Sequence, residues 1–118
     1  MEDLEGLLRA HPFCANMTDE QLQLLLGCTR NLHFRSGEFL MREGQSEDRL
    51  YLIRRGHVAL EVLPAGGDAL CLETVGPGDV LGVSCITPRA AHLDCRARDN
   101  VVALAIDQRG ACFRIVLR

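Results

Sequence analysis

Thiols and imidazoles are the side chains of this chain with the widest chemical reach. Six cysteines (Cys14, Cys28, Cys71, Cys85, Cys95 and Cys112) and four histidines (His11, His33, His57 and His92) are spread over 118 residues. Zinc ribbons, thioredoxin-type redox sites and close-spaced iron–sulfur ligand runs need near-neighbour cysteines, and no C-x-x-C occurs. The histidines lie 22, 24 and 35 residues apart, with no His-x-His, so no local metal-ligand pattern is present and no metal site is expected. Cys85 and His92 could in principle act as thiolate and base, but no oxyanion-stabilising motif accompanies them. The expectation is therefore a non-enzyme. Most of the cysteines sit within apolar runs, where a thiol acts as a small hydrophobe, so free, inert thiols are expected. The histidines are expected at the surface or hydrogen-bonded on strands. A redox role for Cys85 and Cys95 would require a depressed thiol pKa.

Composition narrows the classes further. Apolar residues make up 47% and charged residues 25%, the profile of one folded domain rather than a disordered or fibrous chain. The longest apolar run is Val101–Ile106, far short of the roughly 20 residues that span a bilayer, so no membrane partner is expected. The acidic start, Met1-Glu2-Asp3-Leu4-Glu5, lacks the basic region of a secretory signal, which makes the cytoplasm the expected location. All 13 basic residues are Arg, the cation suited to bidentate contact with carboxylate or phosphate. Net charge is −3, which argues against direct nucleic-acid contact.

The elements that must position any site read as α+β. Leu4, Leu7 and Leu8 form a short helical stripe that His11-Pro12 should end. Thr18-Asp19-Glu20-Gln21 is a capping box opening a helix that buries Leu22, Leu25 and Leu26 and stops near Gly27 or Cys28. From residue 30 the period changes to two, in Leu32/Phe34, Phe39/Met41 and Leu50/Leu52. Strands at His57–Val62 and Leu70–Val75 flank the turn signal Pro64-Ala65-Gly66-Gly67-Asp68. Further strands fit His92–Arg98 and Val101–Ile106, with Asp99-Asn100 as the turn. Short strands at even spacing argue for an antiparallel β-roll or jelly roll over residues 30–106. Asp107 can cap a last helix that buries Cys112, Ile115 and Val116. One domain over residues 1–118 is expected, with helices over about 1–29 and 107–118 flanking the roll.

Several ordered pieces resemble a known family: Pro12-Phe13 ahead of the capped helix, Ser36-Gly37-Glu38, Arg42-Glu43-Gly44, Tyr51-Leu52-Ile53 into Gly56-His57-Val58, and Gly76-Pro77-Gly78-Asp79-Val80-Leu81-Gly82. In this order they resemble the cyclic-nucleotide-binding domain of the Crp/Fnr regulator superfamily over residues 11–118. The resemblance implies a β-roll whose phosphate-binding cassette holds a nucleotide. In ligand-binding members a Gly-Glu pair opens a short helix, and an Arg about ten residues later precedes two small residues; glycine, helix-start N–H groups and Arg hold the phosphate, while Glu accepts from the ribose hydroxyl.

Gly82 and Arg89-Ala90-Ala91 match that pattern, Ser84 adds a hydroxyl, and Val83 stands where Glu would be. Arg89 follows Gly82 by seven residues, so the cassette is short. Losing a hydrogen bond to a charged acceptor costs roughly 1.5–3 kcal/mol, or about ten- to hundredfold in affinity. The site Gly82, Val83, Ser84, Arg89, Ala90 and Ala91 is therefore expected to take a nucleotide or small anion, but not to bind cyclic AMP or cyclic GMP tightly. No resident cofactor is expected. The alternatives are a ligand-free roll used for protein contact, or the sensor piece of a transcription regulator; no helix-turn-helix follows the roll in this sequence. A homodimer formed through the final helix and the nearby roll surface is the expected assembly.

Overall fold

Two short helices open the chain, each started by a side-chain cap. Asp3 accepts the Gly6 N–H at 2.7 Å and begins α1 (Leu4–Ala10). A 3-10 turn, Pro12–Cys14, follows. Thr18 and Gln21 then form the full reciprocal capping box, with Thr18 Oγ1 accepting the Gln21 N–H at 3.2 Å and Gln21 Oε1 accepting the Thr18 N–H at 3.0 Å. That box begins α2 (Asp19–Leu26), which Gly27 ends. Both helices are where the leucine spacing predicts them. The computed structural model describes residues 3–42, 49–81 and 94–107, so the expected final helix lies outside the described residues.

Eight strands follow: β1 (Thr29–Phe34), β2 (Phe39–Met41), β3 (Arg49–Arg55), β4 (Val58–Val62), β5 (Leu70–Val75), β6 (Val80–Leu81), β7 (Asp94–Ala97) and β8 (Val101–Asp107). They form two four-stranded sheets, β1-β8-β3-β6 and β2-β7-β4-β5, and every described pairing is antiparallel. This is the α+β β-roll expected over residues 30–106. The β4–β5 hairpin turns at the predicted Pro64–Asp68, where Gly67 N–H donates to the Pro64 carbonyl.

Period-two reading expects one buried face per strand, and β3 departs from it. Leu50, Tyr51, Leu52 and Ile53 are all buried, because the β1-β8-β3-β6 sheet is covered on both sides. Its inner face sends Tyr51, Ile53, Val101, Ala103 and Ala105 into the roll, against Val58, Leu60, Cys95 and Ala97 of the other sheet. Its outer face sends Leu50, Leu52, Leu104 and Ile106 under the helices, against Leu8, Leu22 and Leu25. The alanines keep the inner layer thin enough for the Tyr51 ring, whose hydroxyl donates to the Leu40 carbonyl at 3.2 Å.

Asp99-Asn100 lies between β7 and β8 as expected. It is a turn, but it carries the chain from β7 in one sheet to β8 in the other, so it makes a corner of the roll rather than a hairpin. Asp99 fastens that corner by accepting the His57 N–H at 2.7 Å and His57 Nδ1 at 2.9 Å. The His57 contact holds the Asp99 carboxyl below its ordinary value.

Candidate functional site

The route into the cassette is built from a turn stitched to β3. In Gly76-Pro77-Gly78-Asp79, Asp79 Oδ2 accepts the Gly76 N–H at 2.8 Å, and Gly78 takes a φ of +91° that suits glycine. Gly78 N–H donates to the Ile53 carbonyl at 2.9 Å, and Ile53 N–H donates to the Asp79 carbonyl at 2.9 Å. The turn delivers β6, which pairs with β3 through Tyr51↔Leu81 and Leu52↔Val80. The chain then leaves this sheet edge at Leu81 and re-enters the opposite sheet at Asp94, where β7 lies between β2 and β4. Residues 82–93 are thus the connection from one sheet to the other. The ends of both anchors are tied into the roll interior: Leu81 and Cys95 are buried in the same core cluster as Met41 and Leu60, with Val62 half-buried against it.

The six sequence-predicted site residues, Gly82, Val83, Ser84, Arg89, Ala90 and Ala91, lie outside the described residues, as do Cys85 and His92. The structure places the strands that anchor them, β6 and β7.

Sequence reasoning missed His11. It was expected at the surface or on a strand; instead it is 5% exposed and sits before the 3-10 turn. Its Nε2 lies 3.2 Å from the Ile53 carbonyl, and its Nδ1 accepts the Phe13 N–H at 3.2 Å. That pair of contacts assigns the proton to Nε2 in the neutral ring. The N-terminal helices, β3 and the turn leading to the cassette therefore converge on one carbonyl, Ile53. Pro12 directly after His11 was the available signal, since it fixes the chain as it leaves α1.

Burial lowers the His11 pKa, partly offset by the Ile53 and Asp79 backbone and the Asp79 charge. The unfolded chain then takes up a proton near the ordinary value of 6.5 while the folded chain resists it. The stability that His11 contributes is complete above that value and is lost as the pH falls below it. Urea unfolding at about pH 7.5 and about pH 5.5 should show a lower midpoint in acid, and His11→Gln should flatten that slope. An equal slope in the variant would contradict the assignment. His11→Ala should cost about 1–3 kcal/mol, since it strips partners from buried backbone groups.

The thiols divide. Cys14, Cys71 and Cys95 are free, and Cys28 is disulfide-bonded, which corrects the expectation of free thiols throughout: folding joins cysteines whose spacing gives no sign of pairing. Burial pushes the Cys95 thiol up to about 12 and the Cys14 thiol up to about 11. A thiol shifted in that direction is a poor nucleophile, so Cys95 does not suit the redox role considered for it. Among the described residues no group of three His, Cys, Asp or Glu side chains is placed to hold a metal ion, and no helix is long and apolar enough to cross a membrane.

Residues 31–111 match the family model for the cyclic nucleotide-binding domain. The chain belongs to the cyclic nucleotide-binding domain family. A curated relative, cGMP-dependent protein kinase isozyme 2 (forms cD5/T2) of Drosophila melanogaster, is 22% identical over 110 residues, covering 90% of this chain and 12% of the kinase. A cyclic nucleotide-binding-like protein from Brucella abortus superposes with a TM-score of 0.70 at 28% identity, over 98% of each chain. The regulatory subunit of a cAMP-independent protein kinase A from Trypanosoma brucei superposes with a TM-score of 0.78 at 23% identity, over 93% of this chain and 42% of the subunit. A cyclic nucleotide-binding domain is a regulatory module, and the family match runs from within β1 past the end of β8.

Proposed function

We propose that this domain is a ligand-sensing regulatory module, not an enzyme, whose cassette retains its phosphate half and has lost its ribose half. Gly82, Ser84 and Arg89-Ala90-Ala91 are the residues that hold an anion, and Val83 is the departure that removes nucleotide discrimination. The observation that carries the reading is membership of the cyclic nucleotide-binding domain family, with β6 and β7 placed at either end of residues 82–93, in a chain whose sequence there keeps Arg89 and lacks the Glu. Val83 has no acceptor for a ribose hydroxyl. Arg89 supplies the full positive charge, and the amides that follow Gly82 supply the donors. The expected ligand is a phosphate-bearing small molecule or a poorly discriminated nucleotide. One structural relative is the regulatory subunit of a cAMP-independent kinase.

Calorimetric titration with inorganic phosphate tests the retained half. Weak binding that declines as salt is added is the expected result, and Arg89→Ala should remove it while the urea midpoint stays unchanged. Phosphate binding that survives Arg89→Ala would contradict the assignment. The second reading is a ligand-free roll used for protein contact; the exposed leucines of the β4–β5 hairpin favour it.

A further inference from the structure

Leu63, Leu70 and Leu72 are 62%, 55% and 57% exposed, and all three belong to the β4–β5 hairpin. Residues 63–74 are exposed without interruption. Apolar side chains gathered on one protruding element mark a contact surface more often than a solvated one. The backbone points the same way. β5 ends its sheet, in the order β2-β7-β4-β5, so one row of its N–H and C=O groups faces no strand among the described residues. Edge strands are commonly shielded by Lys or Pro. β5 reads Leu70-Cys71-Leu72-Glu73-Thr74-Val75 and has neither; its one irregularity is the bulge at Leu72, between the Glu61↔Cys71 and Leu60↔Glu73 pairs.

We infer that the β5 edge is a self-association surface, on which β5 of a second copy of this chain pairs antiparallel. An open row of backbone donors and acceptors is satisfied by an extended strand, and the flanking leucines need apolar partners. A second copy brings both. Charge excludes one register, and the leucines favour another. Glu73 is the one charged residue in β5, and a two-fold centred on it would set two carboxylates directly opposite each other, a destabilising pair. Centring the two-fold on Cys71 sets Leu70 of each copy opposite Leu72 of the other and separates the carboxylates. The same register brings the two Cys71 thiols, free and exposed, face to face. A contact confined to two strand edges and their flanking leucines is smaller than a standard interface, so the dimer is reversible and concentration-dependent. This association stands apart from the ligand reading, since no cassette residue takes part.

Sedimentation velocity of the full chain, from micromolar to millimolar and without added oxidant, should show a monomer–dimer equilibrium. Leu70→Lys with Leu72→Lys should shift that equilibrium to monomer at every concentration, with an unchanged circular dichroism spectrum. Diamide, which accepts the two electrons and two protons that leave a thiol pair, should then trap a covalent dimer that Cys71→Ser abolishes without abolishing the reversible one. A chain that stays monomeric at millimolar concentration would overturn the inference. So would a dimer that the paired lysines leave intact, or a trapped dimer that persists in Cys71→Ser.

Discussion

Gly56→Ala should destabilise the domain by about 3 kcal/mol or more, among the largest effects a single methyl can have. Gly56 joins β3 to β4 with a φ of +83°, and a Cβ there would stand 2.4 Å from the Asn100 carbonyl oxygen and 2.7 Å from Asp99 Oδ1. Two costs combine. The left-handed conformation disfavours any side chain by roughly 1–2 kcal/mol, and the nearer neighbour is backbone that cannot rotate away. Moving it would break the corner that Asp99 fastens by capping His57. Gly66 is the internal control: its φ is +74° but nothing lies within 4 Å of an added Cβ. Gly66→Ala should therefore show only the conformational cost, roughly 1 kcal/mol. Urea unfolding measures both, and a Gly56→Ala midpoint equal to that of Gly66→Ala would contradict the packing described for this corner.

Leu104→Ala should cost about 2–5 kcal/mol, the range for a large-to-small change in a packed core. Leu104 is fully buried in the middle of β8, opposite Asn31 on one side and Leu52 on the other. It faces the helices rather than the roll interior, with Leu8, Leu22 and Leu25 in the same cluster. The loss should therefore weaken the docking of α1 and α2 along with global stability, and amide exchange in both helices should accelerate. Leu63→Ala, at an exposed position, should stay within about 0.5 kcal/mol of the parent. A Leu104→Ala change as small as that would mean the helices do not form a common core with the roll.

Much of this architecture was legible because local chemistry and tertiary packing agree. Thr18 and Gln21 make the capping box that their spacing announces, and His11-Pro12 ends α1 where proline must. What stayed hidden is what local patterns do not encode. Asp99-Asn100 has the turn chemistry of a hairpin, and the same chemistry makes a corner; only the partners of β7 and β8 distinguish the two. β3 looked half-buried because period two assigns one buried face, whereas the helices take up the other face through Leu50 and Leu52. β5 reads as a half-buried strand and is exposed along almost its whole length, since alternation reports faces and not position in a sheet. His11 was missed because nothing near it in sequence is its partner: the Ile53 carbonyl lies 42 residues away. The cassette was read by resemblance rather than by periodicity, and its six residues fall outside the described residues. Their roles therefore rest on residue type, on family membership, and on the placement of the strands at either end.

The central claim is that Val83 and the short cassette remove tight recognition of cyclic nucleotides while Arg89 retains an anion. Isothermal titration of the unmodified chain with cyclic AMP and with cyclic GMP tests it most directly. Weak binding at most is expected, similar for the two nucleotides and reduced by added salt, because the ribose has no acceptor at residue 83. Sub-micromolar affinity for either nucleotide would contradict it.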